Sequence, residues 1–234
     1  MTLNEFRKEL ESRIAKYNLL CHPFYQAWTK GQLTRDDLRA YALQYFHHVA
    51  LFPEYLEMFE CRLQGDVQLA EAVARNRAEE EGADSPDGRP HAELWLDFAE
   101  GMGADRSAVA NAQPLPEIDE LIATFENIAR QGSPAEALAA FYAYESQVPR
   151  IAEEKALGLK THYGADDATC SYFTHHQSAD VYHSLVWSEQ LEKQVEGPNL
   201  VLQEKALDAA ERVAHALWRA LDGIELDRMA RRAA

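Results

Sequence analysis

The chain has 234 residues, enough for one substantial core. Its formal net charge of −16 excludes a basic nucleic-acid interface and attraction to an anionic membrane surface. No apolar run approaches the roughly 20 residues of a membrane span, and the N-terminal MTLNEFRKELESRIAKY lacks the apolar core of a signal peptide. Cys21, Cys61 and Cys170 are scattered, with no CxxC pair. Neither a disulfide scaffold nor a thiolate zinc site is expected, and reduced thiols point to a cytoplasmic location.

Almost every segment reads as helix. Leu3, Phe6, Leu10, Ile14 and Tyr17 recur at helical period over 3–20. Pro23 starts a short helix in HPFYQAW (22–28), which Gly31 ends. Thr34 and Asp37 have capping-box spacing and open a long helix over 35–63, with Pro53 expected to kink it. Next come a helix over 66–82, a polar loop ADSPDGRP (83–90), and a short helix from His91 to Gly101 or Gly103. Beyond Pro114 and Pro116, a helix over 116–131 stops at Gly132. Ser133 caps a helix over 134–162 that contains Pro149, and Asp166 or Asp167 caps the one after it. Gly197-Pro198-Asn199 precedes a last helix over roughly 200–222. No repeat, period-two alternation or long linker is present. The reading is one all-α domain, 1–234, of seven or eight helices.

The chemistry concentrates in YFTHHQSADVYHSLVW (172–187), which carries His176, Asp180 and His183. At about 100° per residue these point to about 0°, 40° and −20°, one narrow stripe of a helix. Nitrogen and oxygen donors without thiolate suit iron, manganese or zinc. A His and an Asp often share an exposed face by chance. Here Tyr172, Phe173, Val181, Leu185, Val186 and Trp187 are expected to bury the helix, and a buried stripe needs partners.

Two groups qualify as partners. Glu145 lies among Phe141, Tyr142, Ala143, Tyr144 and Val148, and the ring of Pro149 crowds its carbonyl. The alternative for Glu145 is an acid facing solvent on a kinked helix. Glu79-Glu80-Glu81 with His91 is the second group. A run of three Glu alone reads as a solvated helix end, and spacing does not choose between the two readings. The remaining histidines have plainer roles. His47 and His48 diverge by about 100° and cannot both face one site. His162 suits a helix C-terminus, His175 points off the stripe, and His22 and His215 read as structural or surface residues. Tyr25, Tyr41, Tyr45, Tyr142, Tyr144 and Tyr172 share helices with these candidates. Tyrosines there are core residues first, though oxidisable beside a redox metal. Lys155 reads as a surface lysine.

Taken together, HPFYQAWTKGQLTRDDLRAYALQYFHHVALFPEYL, NRAEEEG with HAELWLDFAEGMG, YAYESQVPRIAEEK and YFTHHQSADVYH resemble successive motifs of the haem-oxygenase-like dimetal oxidases. The chain is similar to the group of the chlamydial protein associating with death domains, which includes self-sacrificing 4-aminobenzoate synthases. The resemblance runs from about residue 20 to 187. It implies a haem-oxygenase-like helical fold and six metal ligands: Glu80, His91, Glu145, His176, Asp180 and His183. It also implies two metal ions, Fe/Fe or Fe/Mn, with O2 as co-substrate and an external reductant. In that group the tyrosine of the HxFYxxW motif, here Tyr25, is the source of the aromatic product. Lys155 corresponds to the amino donor, and Tyr41 and Tyr144 to relays of oxidising equivalents. The chain departs from the pattern in a longer loop between Glu80 and His91, which leaves Glu79 and Glu81 as alternatives to Glu80. Two further readings share the fold. One is a dimetal oxygenase acting on an external small molecule. The other is a metal-free enzyme like the pyrroloquinoline-quinone-forming oxidase or the thiamine-salvage hydrolases, against which the full ligand set argues. A homodimer is expected by analogy, and no sequence feature marks a surface for death domains.

Overall fold

Local signals in the chain become helix ends in the computed structural model, which describes residues 1–85 and 87–233. Three N-termini carry full capping boxes: Thr2 with Glu5, Thr34 with Asp37, and Ser133 with Glu136. Asp166 caps its helix through the Thr169 amide. Eleven α-helices and one 3-10 turn result, with no strand among the described residues. They are α1 (Leu3–Ala15), the turn Leu19–Cys21, α2 (Pro23–Thr29), α3 (Arg35–Glu60), α4 (Val67–Glu80), α5 (His91–Gly101) and α6 (Arg106–Ala110). After these come α7 (Pro116–Gln131), α8 (Pro134–Glu145), α9 (Val148–Tyr163), α10 (Asp167–Val195) and α11 (Leu200–Ala233).

The count exceeds the seven or eight expected for physical reasons. The helix expected over 134–162 divides in two, because Pro149 has no N–H to give to the Glu145 carbonyl. The five-residue α6 adds another, and it had no signal strong enough to mark it. The last helix runs eleven residues past its expected end, to Ala233. Its extra turns are tied down by the buried Glu225–Arg228 pair and by Arg232, which donates to Asp37 at 2.6 Å. Helix α3 runs on through Pro53. Pro86, in the loop expected over 83–90, and Ala234 lie outside the described residues.

Helix α8 is the centre of the bundle. Its sequence PAEALAAFYAYE is apolar nearly all round, the pattern of a helix enclosed on every side. Packing bears this out: α8 lies between α10 and α11. Where α8 and α11 pack, the alanines of α8 and Ala206, Ala209, Ala210 and Val213 of α11 are all buried. Small residues at such a seam let two helices approach closely. Helix α10 packs on α5, α8 and α9, and α3 packs on α4, α5 and α7. Another close approach is at Gly158 of α9, where an added Cβ would meet the Trp28 indole at 2.8 Å. This contact seats α2, and with it Tyr25, against α9. The three cysteines are free, and no helix of the described residues is long and apolar enough to cross a membrane.

Candidate metal centre and tyrosine–lysine chamber

Helix α10 presents the predicted stripe inward: His176, Asp180 and His183 are only 3 %, 2 % and 2 % exposed. Tyr172, Phe173 and Trp187 flank it in the core, as expected. Val181 and Leu185 are exposed instead. They lie about 140° and 180° round the helix from His176, so they belong to its solvent face.

Three other helices bring partners to the stripe. Glu145 ends α8, Glu80 ends α4 and His91 begins α5, and all three are buried. Ligand atoms of Glu80, His91 and His176 lie within 4.8 Å of one another, and so do those of Glu80, Glu145 and His183. Glu80 belongs to both groups, which is the position of a carboxylate shared between two cations. Asp180 adjoins the second group, with Oδ1 3.3 Å from Nδ1 of His183. The three consecutive acids thus separate. Glu80 faces the cage, Glu79 bonds Nε2 of His183 from outside, and Glu81 lies at the surface paired with Arg77.

Two orphaned atoms test whether this cage suits metal. Nδ1 of His91 sits 2.8 Å from Oε2 of Glu80, yet the pair is not aligned as a hydrogen bond. Oε1 of Glu145 is buried with no partner. Unpaired buried polar atoms are costly, and His91 and Glu80, which face each other without an aligned hydrogen bond, suit a shared cation. The titration pattern agrees. Burial alone would raise Glu80 and lower His91, but their mutual attraction holds Glu80 at about 2 and lifts His91 to about 10. Burial likewise opposes charge on His183, yet Asp180 and Glu145 lift it to about 11. Burial, reinforced by Asp180 and Glu80, pushes Glu145 well above the carboxylate range. Without a cation, protons on His91, His183 and Glu145 offset the crowded charge of the cage, and a metal cation replaces such protons. Imidazole and carboxylate donors fit iron and manganese.

A second chamber adjoins the cage. Lys155, read from sequence as a surface residue, is 6 % exposed. Its Nζ donates to the hydroxyls of Tyr25 at 2.7 Å and Tyr41 at 2.6 Å, which are 3.1 Å from each other. Nζ also lies 4.2 Å from the centre of the Tyr25 ring. No acid among the described residues contacts this amine, so burial drives its pKa well below the usual lysine value. Burial pushes Tyr25 and Tyr41 well above theirs. The chamber has a free volume of about 20 Å³. Tyr144 and Tyr172 line both it and the cage, forming the wall between them.

Sequence reasoning missed several contributors. Trp187 donates its indole N–H to Glu145. Asp84 bonds Nε2 of His91 at 3.3 Å and Nε2 of His175 at 2.8 Å, so His175, though off the stripe, is engaged at its edge. His48 takes the inside position that His47 cannot share. It is fully buried against Tyr144 at 4.9 Å, and burial lowers it to about 3. None of these contacts has a signature at fixed sequence spacing.

Known proteins resemble this chain over most of its length. Residues 39–218 match the family of iron-containing redox enzymes, and the chain belongs to that family. It is 39 % identical to the 4-aminobenzoate synthase of Nitrosomonas europaea over 233 residues, covering 96 % of this chain and 92 % of that one. It is 34 % identical to the 4-aminobenzoate synthase of Chlamydia pneumoniae over 211 residues, covering 89 % and 90 %. A haem-oxygenase-like protein of unknown function from Shewanella denitrificans shares the fold, with a TM-score of 0.79 at 17 % identity over 98 % of this chain and 94 % of that one.

Proposed function

We propose that this enzyme makes 4-aminobenzoate from its own Tyr25, with Lys155 as the nitrogen donor. The observation that carries the reading is the buried contact of the Lys155 amine with the Tyr25 and Tyr41 hydroxyls, one tyrosine wall away from the cage. A tyrosine side chain already has the ring and the para-linked carbon of the product. Conversion needs cleavage of the Cα–Cβ bond, oxidation of Cβ to a carboxyl, and replacement of the hydroxyl by an amine. Glu80, His91, Glu145, His176, Asp180 and His183 would hold two metal ions, Fe/Fe or Fe/Mn. These would supply the reduction of O2, with electrons from an external reductant, and hence the oxidising power.

The chain's own groups set up the rest. Burial keeps Tyr25 and Tyr41 protonated, so taking an electron from either requires a proton acceptor. Burial favours the uncharged form of Lys155, which would be the base in contact with both hydroxyls and is also the form able to act as a nucleophile. Tyr144 stands between cage and chamber, where a relay of oxidising equivalents belongs, and Tyr41 stands beside Tyr25. Phe24, Trp28 and Phe98 pack round Tyr41 and exclude bulk water.

An external substrate fits this geometry less well. The chamber's 20 Å³ is room for a water, far below the roughly 300 Å³ of ordinary ligand pockets. Intact mass before and after aerobic incubation with iron, manganese and reductant tests the reading. The expected result is mass lost at Tyr25 with 4-aminobenzoate released, and neither event in Tyr25→Phe. Product formed by Tyr25→Phe from an added small molecule would sink it.

A further inference from the structure

The three histidines at the cage are not held alike. A carboxylate can only accept a hydrogen bond, so an imidazole nitrogen bonded to one must carry the proton. At His91 the bonded nitrogen is Nε2, facing Asp84, which leaves Nδ1 toward Glu80 as the position where a cation would replace a proton. At His183 the shorter bond is again at Nε2, to Glu79, while Nδ1 makes a longer one to Asp180 at 3.3 Å and lies 3.9 Å from Glu145, so with the Nε2 proton held by Glu79 a cation would displace the proton on Nδ1. At His176 the order reverses. Nδ1 donates to the backbone carbonyl of Tyr172 at 2.7 Å and leaves Nε2 free. Two of the three tautomers are therefore set by carboxylates outside the cage, and both carboxylates come from one short stretch of chain.

That stretch has a single logic. Glu79 and Glu80 are the last two residues of α4, and a helix turns adjacent side chains about 100° apart. Glu80 therefore enters the cage while Glu79 reaches the outer side of His183. The chain then turns at Gly82, whose φ of 105° favours glycine, and brings Asp84 back over the outer side of His91. Asp84 is anchored in turn, because its second oxygen accepts from His175 of α10. The His91 ring stacks edge-on between His175 and His176, each 4.6 Å away, so it has little freedom to flip.

We propose that Glu79 and Asp84 are positioning residues that hold His183 and His91 with Nδ1 toward the metals, so that each carboxylate governs the affinity of one of the two ions. The inference rests on the metal-centre reading above. Outer carboxylates of this kind fix ring orientation and raise ligand basicity, and their loss elsewhere weakens metal binding by about 10–100-fold. Asparagine and glutamine are the informative replacements. They keep the volume, but an amide can either donate or accept, so it no longer dictates the tautomer.

The test is equilibrium titration of metal-free protein with Mn(II) alone, free Mn(II) being read by its EPR signal. Wild type should bind two ions. Asp84→Asn should weaken one of them about 10–100-fold and leave the other within about twofold, and Glu79→Gln should do the same to the opposite ion. Asp84→Glu, which retains the carboxylate, should recover much of the loss. His175→Ala should weaken the same ion as Asp84→Asn, by less. Helicity and melting of the metal-free variants should match wild type, since Glu79 and Asp84 are only part-buried. Unchanged binding in both substitutions, or equal loss of both ions in each, overturns the inference while leaving a dimetal centre intact. A wild-type protein that takes up no metal overturns the centre itself, and the inference with it.

Discussion

Burial disfavours the charge that Lys155 would carry in water, and no acid among the described residues lies near enough to offset this. That choice has a cost in stability with a definite pH dependence. In the unfolded chain a lysine titrates near about 10.4. Folding lowers that value, so over the window between the folded and unfolded pKa the unfolded state binds a proton that the native state lacks. Stability therefore rises with pH across the window, and the deficit is greatest at its acid end. Lys155→Met keeps the bulk and removes the titration. We expect the variant to make no 4-aminobenzoate, to melt above wild type at pH 7, and to lose that advantage as the pH approaches 10. Melting curves across that range check this, and a gap that widened with pH would contradict it. This residue also shows where sequence reading stops. A lysine on a helix is ordinarily solvated, and its burial here follows from Gly158, three residues on, which admits Trp28 and draws α2 over it. Glu79 and Asp84 escaped for a related reason. Their partners lie on α10 and α5, so no local spacing announces them.

At the scale of elements, two features aim the site. The first is the interruption between α8 and α9. Pro149 ends the hydrogen-bond ladder where Glu145 must leave it, so the last side chain of the most enclosed helix points at α10. The sequence marked a distortion at the proline and an acid beside it that is buried in the fold. It did not disclose that two separate helices would result, since proline kinks and proline breaks begin from the same missing N–H. The second is the α9–α2 contact. Gly158→Ala would force Cβ to within 2.8 Å of the Trp28 indole. Overpacking of this kind costs about 1–3 kcal/mol. We expect a lower urea midpoint with little change in Mn(II) binding, because the contact lies on the chamber side and not on the cage side. Loss of metal along with stability would show that chamber and cage are mechanically one.

For the molecule as a whole, the helical class and most helix starts were legible because capping boxes and 3.6-residue periodicity are local. Helix number and the course of α11 were not, because they depend on tertiary pairs such as Asp37 with Arg232. The inward-facing stripe of His176, Asp180 and His183 was legible because one helix carries it. Its other half required four helices to meet. A last consequence comes from where Tyr25 lies. Its ring is part of the core, 3 % exposed and packed on Phe24 and Tyr41. Consuming that side chain would leave a void, and truncating a buried aromatic costs about 3–5 kcal/mol. Domains typically have only about 5–15 kcal/mol in reserve. The used chain should therefore melt lower and be cut faster by a dilute protease than the fresh one. Equal protease half-lives for the two would refute this. If the difference holds, chemistry and disposal are coupled: the reaction that ends the protein's usefulness also shortens its lifetime, and a cell could clear spent copies without a dedicated signal.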